Sequence, residues 1–129
     1  MSRIRCTNTR PELAVRSILH RLGFRFKGLS SRVLPGRPDV VLPMHKTVVF
    51  VHGCFWHRHA NCKMAYHPKS NRAFWNAKFL ANIRRDREVR RQLRGLGWRV
   101  LVVWECQLSR PMAVARRLVR LIAINNHAH

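Results

Sequence analysis

Residues 39–53 of the chain, DVVLPMHKTVVFVHG, contain two runs rich in β-branched residues, DVVL and TVVFVH, with only PMHK between them. β-branched side chains favour strands because they pack well on a pleated surface. A connection this short is typical of a hairpin. We therefore predict two neighbouring strands, the first beginning at Asp39 and the second ending at His52.

The segment before this hairpin predicts a helix and then a short strand. TRPELAVRSILHRLG has Thr9 as its N-cap, Glu12 three residues later, apolar residues at helical spacing, and Gly23 to end it. Residues 24–27, FRFK, alternate between apolar and basic side chains, which predicts a strand.

The segments after the hairpin predict a helix, a strand and a helix. RAFWNAKFLANIRRDREVRRQLRGLG reads as a long helix with Phe79, Ile83 and Leu93 facing inward, and WRVLVVW reads as a buried strand. A C-terminal helix is expected over residues 109–125. The order of these elements predicts an α/β sandwich with a small mixed sheet flanked by helices. We treat residues 1–129 as one domain that begins with a short basic arm, residues 1–8.

The chain carries 26 Lys and Arg residues against 5 Asp and Glu residues, a formal net charge of +21. Such a surface needs a polyanionic partner, either nucleic acid or an anionic membrane. Nucleic acid is favoured because the arginines spread over the whole chain rather than along one helix. No apolar run approaches the roughly 18 residues that cross a bilayer. The N-terminus also lacks the apolar core of a signal peptide, so we expect a soluble cytoplasmic protein with no membrane partner.

Three of the 5 acidic residues lie where a carboxylate can bind a metal ion or pair with a catalytic group. Asp39 follows Pro38 at the start of a strand, where it can hold Mg²⁺ against a phosphate; capping of the turn is the alternative. Glu12 either completes a capping box with Thr9 or takes part in metal chemistry. Asp86 lies near the inward face of the long helix, where its partner is either a histidine across the sheet or the surrounding arginines.

Cysteines and histidines cluster in the loop after the hairpin. In a reducing compartment, the 4 cysteines of the chain are expected to be thiols or metal ligands rather than disulfides. A tetrahedral zinc site would take its ligands from Cys54, His59, Cys62 and Cys106. His57 is an alternative to His59, and His67 is a weaker one. The other interpretation is that the cysteines are small buried apolar residues. Cys6 fits no cluster.

The same loop offers two further pairs of side chains. His52 and His57 are candidate proton-transfer groups because imidazole titrates near neutral pH. Phe55 and Trp56 are adjacent, and on a loop they can project together as an apolar wedge that enters a base stack. Trp75, near the start of the long helix, is a candidate for the same surface. Packing in the core is the alternative for these rings.

Four of these segments, LPGRPDVV, FVHGCFWHRH, FWNAKFLANIRRDRE and GWRVLVVWEC, resemble the very-short-patch-repair (Vsr) DNA mismatch endonucleases. The resemblance runs in order from Thr9 to Cys106. It implies the restriction-endonuclease-like αβββαβ core of the PD-(D/E)xK nuclease superfamily. It also implies an enzyme that nicks duplex DNA 5′ to the thymine of a T:G mismatch, in very short patch repair of deaminated 5-methylcytosine. Its partners would be T:G-mismatched double-stranded DNA and accessory mismatch-repair proteins, and we expect a monomer at the bacterial nucleoid.

The same resemblance implies a role for each candidate residue. Catalytic Mg²⁺ would be bound by Asp39 and the main chain of Val51. The remaining catalytic residues would be Glu12 beside the metal-bound water, His57 as general base, and His52 and Asp86 in support. Structural Zn²⁺ would be bound by Cys54, His59, Cys62 and Cys106. The aromatic residues that enter the DNA would be Phe55, Trp56 and Trp75.

Two other functions are compatible with the sequence. One is a Vsr-like nuclease of different specificity that acts in restriction, defence or a mobile element. The other is a zinc-stabilised nucleic-acid-binding protein without catalysis, which would leave Asp39, Glu12, His52 and His57 without a shared purpose.

Overall fold

The computed structural model describes residues 10–25 and 34–127, with the side chains of residues 123–127 excluded. The predicted basic arm, the Thr9 cap and Cys6 lie outside these residues. Of the predicted strand over residues 24–27, Phe24 and Arg25 have no regular secondary structure and the other half lies outside the described residues.

The described residues form three helices and three strands. The helices are α1 (Arg10–Arg21), α2 (Arg72–Gly95) and α3 (Pro111–His127), and the strands are β1 (Val40–Leu42), β2 (Thr47–His52) and β3 (Arg99–Trp104). Short 3₁₀ turns cover Pro43–His45 and Glu105–Ser109. The second of these turns occupies the predicted start of the C-terminal helix. That helix therefore begins at Pro111, a residue suited to a first helical turn because it has no N–H to leave unpaired.

The three strands form one mixed sheet in the order β1-β2-β3. β1 pairs antiparallel with β2, so the predicted hairpin is confirmed, with Val40 opposite Val49. β2 pairs parallel with β3, from Thr47 opposite Arg99 to His52 opposite Trp104. Parallel strands need a long crossover, which α2 and its flanking loops supply. The parallel pairing brings the chain after His52 and the chain after Trp104 to the same edge of the sheet.

Helices cover both faces of this sheet. On one face, α1 and α3 bury a cluster whose members are Val15, Leu19, Val40, Leu42, Val49, Leu101, Val103, Val114, Leu118 and Ile122. On the other face, α2 contributes Leu93 to a smaller cluster with Val41, Val48 and Phe50. Successive strand residues point to opposite faces, which explains why Val40 and Val41 join different clusters. Within the described part of the chain, no helix is both long and apolar enough to span a membrane.

Candidate active site and metal centre

A cavity of about 260 Å³ opens where β2 ends, between α1, the start of β1 and α2. Its lining includes every residue predicted to be catalytic: Glu12, Asp39, His52, His57 and Asp86. Val51 also lines this cavity. These residues come from distant parts of the sequence, so the fold itself creates their proximity.

Asp39 and Glu12 form the acidic side of the cavity. The backbone N–H of Val51 donates a hydrogen bond to Oδ2 of Asp39 at 2.6 Å, and Nη2 of Arg16 donates to the Asp39 carbonyl at 3.1 Å. Burial raises the pKa of Asp39 to about 7; the hydrogen bond from Val51 opposes this shift, and the carboxylate of Glu12 adds to it. Two neighbouring carboxyl groups that repel each other when ionised are suited to a hard divalent cation, whose charge would stabilise both. The oxygen donors present therefore fit Mg²⁺.

The raised pKa of Asp39 predicts a pH-dependent stability. The pKa of the Asp39 carboxyl is 3.8 in the unfolded chain and about 7 in the folded protein. As the pH rises between these two values, the carboxyl ionises in the unfolded chain before it does so in the folded protein, so the free energy of unfolding falls. We expect Asp39→Asn to remove this loss and to raise the free energy of unfolding at pH 8 by about 2 to 4 kcal/mol over the wild type. Urea unfolding of both proteins at several pH values in Mg²⁺-free buffer measures the difference. Parallel stability curves for the two proteins would contradict this prediction.

His52, His57 and Asp86 form the opposite side of the cavity. Nδ1 of His57 donates to Oδ2 of Asp86 at 2.6 Å, so Asp86 pairs with a histidine. Although burial opposes it, this hydrogen bond holds the pKa of Asp86 below its usual value. With Nδ1 donating to Asp86, neutral His57 presents Nε2 as its proton acceptor. The pair can therefore take a proton at Nε2 while the carboxylate stabilises the imidazolium that forms.

His52 supports the ring of His57 from inside the protein. Its side chain is 6% exposed, and its ring stacks on that of His57 with centroids 3.9 Å apart and an interplanar angle of 6°. Burial, followed by the charge of His57, lowers the pKa of His52 to about 4, so His52 is neutral at physiological pH. Ligand atoms of His52, His57 and Asp86 all lie within 4.8 Å of one another. Because stacked rings hold their lone pairs in parallel planes, these lone pairs do not converge on one metal ion, and the geometry favours proton transfer here.

A separate group of side chains that could hold a metal ion, the metal cluster, lies beside this cavity. Its members are the predicted ligands Cys54, His59, Cys62 and Cys106, whose ligand atoms all lie within 4.8 Å of one another. Nδ1 of His59 lies 3.7 Å from Sγ of Cys54 and 3.4 Å from Sγ of Cys106. Sulfur and nitrogen ligands on a tetrahedral zinc ion are about 3.6 Å apart.

The chemistry of these thiols also suits a cation. Without the charge of a cation, burial raises the pKa of the Cys54 thiol to about 12. A bound metal ion would reverse this by stabilising the thiolate. The alternative ligands are engaged elsewhere, since His57 pairs with Asp86 and Nδ1 of His67 lies 3.4 Å from Nη2 of Arg58.

The three predicted DNA-entering rings belong to one aromatic cluster on the loop and α2. Phe55 lies at its centre, half-buried, with its ring centroid 5.2 Å from that of Trp56 and 5.7 Å from that of Trp75. Trp56 is 43% exposed. Tyr66, whose ring centroid is 5.0 Å from that of Phe55, is 63% exposed, and Phe74 beside Trp75 is 54% exposed. The sequence offered no signal for Tyr66 or Phe74 beyond their aromatic character.

Sequence reasoning also missed Trp104, the last residue of β3. The ring of Trp104 stacks on His59 at 4.2 Å and meets the edge of His52 at 5.2 Å. It therefore packs between a metal-cluster residue and a cavity histidine. The apolar run WRVLVVW predicted that Trp104 is part of a strand, but the two rings it touches depend on the parallel pairing of β2 with β3.

Three arginines that line the cavity could not be distinguished in the sequence from the many other basic residues. They are Arg37, Arg85 and Arg90. Arg37 adopts a positive φ of 49° directly after Gly36, whose φ is 73°. A Cβ on Gly36 would lie 2.5 Å from Cγ1 of Val89 on α2, so glycine is needed for the loop to pack there. The turn in LPGRP thereby places Arg37 at the cavity.

The chain is also similar in sequence to known proteins. A family model described as DNA mismatch endonuclease Vsr matches residues 1–64. The type II nicking enzyme V.XorIIP of Xanthomonas oryzae pv. oryzae is 48% identical over 122 residues, which cover 95% of this chain and 88% of that protein. The type II nicking enzyme V.NmeAIP of Neisseria meningitidis is 43% identical over 95% of this chain and 86% of its own length. DNA mismatch endonuclease Vsr of Escherichia coli is 42% identical over 108 residues, or 84% of this chain and 68% of that enzyme.

Proposed function

Because the chain belongs to the Vsr family of DNA endonucleases, we propose that it nicks one strand of duplex DNA 5′ to the thymine of a T:G mismatch. Family membership makes the protein a hydrolase that acts on DNA. Specificity for a T:G mismatch goes beyond family membership and is the part that we propose. It would place the enzyme in very short patch repair of deaminated 5-methylcytosine.

The observation that carries the proposal is the cavity in which the acidic pair faces the histidine pair. Asp39 and the main chain of Val51 would hold Mg²⁺, with Glu12 beside them; the hydrogen bond from Val51 to Asp39 brings these two residues together. When bound, the ion would neutralise charge on the phosphate and acidify a water molecule.

The protein's own groups then move the proton. Nε2 of His57 would accept it from the attacking water, and Asp86, at 2.6 Å from Nδ1, would stabilise the resulting imidazolium. His52 would keep the ring of His57 in place by stacking on it. Because His52 stays neutral at physiological pH, it adds no charge that would oppose protonation of His57.

The cationic lining supports a phosphate-bearing substrate. Arg37, Arg85 and Arg90 border the same cavity as Asp39. Guanidinium groups bind phosphate oxygens in a planar, bidentate geometry, so these residues would hold the strand against the acidic pair. The formal charge of +21 would draw the whole protein to DNA before any base is read.

The cysteine and histidine cluster would hold a structural Zn²⁺ ion. Its ligands come from the loop after β2 and from the 3₁₀ turn after β3, so the ion would join these two segments. His57 lies between the ligands Cys54 and His59 in sequence. Zinc would thereby also hold the general base in position.

The aromatic cluster would enter the DNA beside the mismatch. Among the three predicted rings, Trp56 is the exposed one at 43%, while Phe55 is packed behind it and Trp75 lies at 5.6 Å from Trp56. We therefore assign Trp56 the leading position in the wedge, with Phe55 and Trp75 supporting it. Unstacking one base step costs about a few kcal/mol, which the new ring contacts would offset.

Mismatch specificity is tested with a pool of duplexes that carry either T:G or T:A at one position between randomised flanking bases. We expect nicking of the T strand to be about tenfold or more faster with T:G than with T:A, since one wrong pair typically costs about 1–3 kcal/mol. Sequencing the nicked ends also reports the preferred flanking bases. Equal nicking of both duplexes would refute mismatch specificity, and nicking of neither would refute nuclease activity.

A Vsr-type nickase of another specificity is the second candidate, because several similar proteins are type II nicking enzymes. A cytosine methyltransferase gene beside this one would favour repair, and a defence or transposon neighbourhood would favour the alternative. Action as a monomer with accessory mismatch-repair proteins stays a prediction.

A further inference from the structure

Arg58 is the residue between the proposed general base His57 and the metal-cluster residue His59, and it has a positive φ of 54°. Its Nη1 donates to the carbonyl oxygens of Phe55 at 3.2 Å and Tyr66 at 3.1 Å. Its Nη2 donates to the carbonyl oxygen of Ala65 at 2.9 Å. The side chain of Arg58 thus links Phe55, at the start of the loop, to Tyr66, which lies eight residues after Arg58.

The same guanidinium also anchors the loop to α2. Its Cζ lies 3.9 Å from the ring centroid of Phe79, which is buried on α2, and 5.7 Å from that of Phe55. A guanidinium over an aromatic face is attracted by the ring quadrupole, and more strongly where water is excluded. Arg58 therefore binds the loop backbone and the base of the aromatic cluster together.

The Nη donors of Arg58 are committed to the protein. The two Nη atoms carry four N–H groups, and their acceptors are the carbonyls of Phe55, Ala65 and Tyr66 together with Nδ1 of His67 at 3.4 Å. A phosphate could be bound through these groups only by breaking bonds that shape the loop. In this highly basic chain, Arg58 is better explained by its contacts within the protein than by contact with DNA.

The metal cluster leaves part of this loop to be held by other means. Its last ligand in the loop is Cys62, whereas α2 begins at Arg72. The bonds from Arg58 to Ala65 and Tyr66 fall inside this interval. They hold Tyr66 beside Phe55, where its exposed ring extends the aromatic surface.

We propose that Arg58 is a positioning residue that holds Phe55, Trp56 and Tyr66 as one preformed surface for the DNA. This inference rests on the proposed function, because it assumes that the aromatic cluster enters DNA. The surface would be formed before binding, so its ordering would not reduce the affinity. Loss of the bonds from Arg58 would release the segment after Cys62 and leave the metal cluster intact.

Arg58→Ala and Arg58→Lys test the holding role without any DNA. Lysine keeps the positive charge but not the planar fork of donors, so both variants should behave alike. We expect hydrogen exchange of the amides in residues 63–71 to be at least about tenfold faster than in the wild type, with bound metal unchanged. Arg120→Ala, which removes an exposed arginine from α3, is the control for charge and should exchange like the wild type. Unchanged exchange in Arg58→Lys would overturn the proposal.

Affinity for a T:G duplex, measured by fluorescence anisotropy without Mg²⁺, tests the link to DNA independently of cleavage. We expect both Arg58 variants to raise Kd about tenfold and Arg120→Ala to raise it less than about threefold. In the nicking assay, KM should rise with Kd while kcat stays within about twofold, since the chemistry lies in the cavity. A lowered kcat at unchanged KM, or a wild-type Kd for Arg58→Lys, would overturn the positioning role. Absence of nicking by the wild type would refute the proposed function and leave the exchange and affinity results to decide on Arg58.

Discussion

Replacing Asp39 with Asn is expected to slow DNA nicking by at least about a thousandfold, equivalent to about 4 kcal/mol of transition-state stabilisation. The amide has the shape of the carboxylate, and its oxygen can still accept the hydrogen bond that Val51 donates at 2.6 Å. It carries no negative charge, so it cannot hold Mg²⁺ against the phosphate. We therefore expect a folded variant that binds DNA and fails to cut it, measured by single-turnover nicking at saturating enzyme.

Glu88→Gln is the matched control for this loss of a carboxylate. Glu88 is half-exposed on α2 and pairs with Arg91 at 2.5 Å, and it does not line the cavity. Its variant should nick DNA at close to the wild-type rate. Nicking by Asp39→Asn at more than about a tenth of the wild-type rate would rule out Asp39 as the metal-binding carboxylate.

Removing the proposed zinc ligand Cys106 is expected to have the largest effect on stability. Structural zinc contributes about 10–16 kcal/mol of binding free energy in small domains, so loss of one of its ligands should remove several kcal/mol. For a chain of this size, we expect Cys106→Ser to lower Tm by more than about 10 °C and to lose most of its zinc. Calorimetry and elemental analysis of protein purified without chelator give the two values.

Cys6→Ser is the matched control, because it makes the same substitution at the cysteine outside the proposed ligand set. It should keep its zinc and its Tm. A Cys106→Ser protein with unchanged Tm and metal content would contradict the zinc assignment. A wild-type protein that contains no zinc would contradict it as well.

The hairpin and the candidate site show what sequence could predict. DVVL and TVVFVH are rich in β-branched residues, and the short PMHK connection favours antiparallel pairing between them. Local sequence was therefore sufficient to predict this hairpin. The metal cluster was predicted from ligand types in one loop, with Cys106 added from the end of a strand. Its assembly depends on the parallel pairing of His52 with Trp104, which periodicity does not predict.

The roles of Arg58 and Tyr66 could not be predicted in the same way. In the sequence, Arg58 is simply one of 26 Lys and Arg residues. A guanidinium that donates hydrogen bonds to backbone carbonyls leaves no pattern in the sequence. Backbone acceptors are present at every residue, so only the fold selects among them. The positions of Arg37 and Gly36 at the cavity similarly depend on packing against Val89.

We propose that this cavity performs Mg²⁺-dependent nicking of the T strand at a T:G mismatch. The most direct measurement is a nicking assay on one T:G duplex whose strands carry different end labels, with flanking bases taken from the preferred pool sequences. We predict a single product, cut from the T strand immediately 5′ to the thymine, formed only with Mg²⁺ and lost in Asp39→Asn. Cleavage of both strands, cleavage that does not need Mg²⁺, or no cleavage at all would contradict the claim.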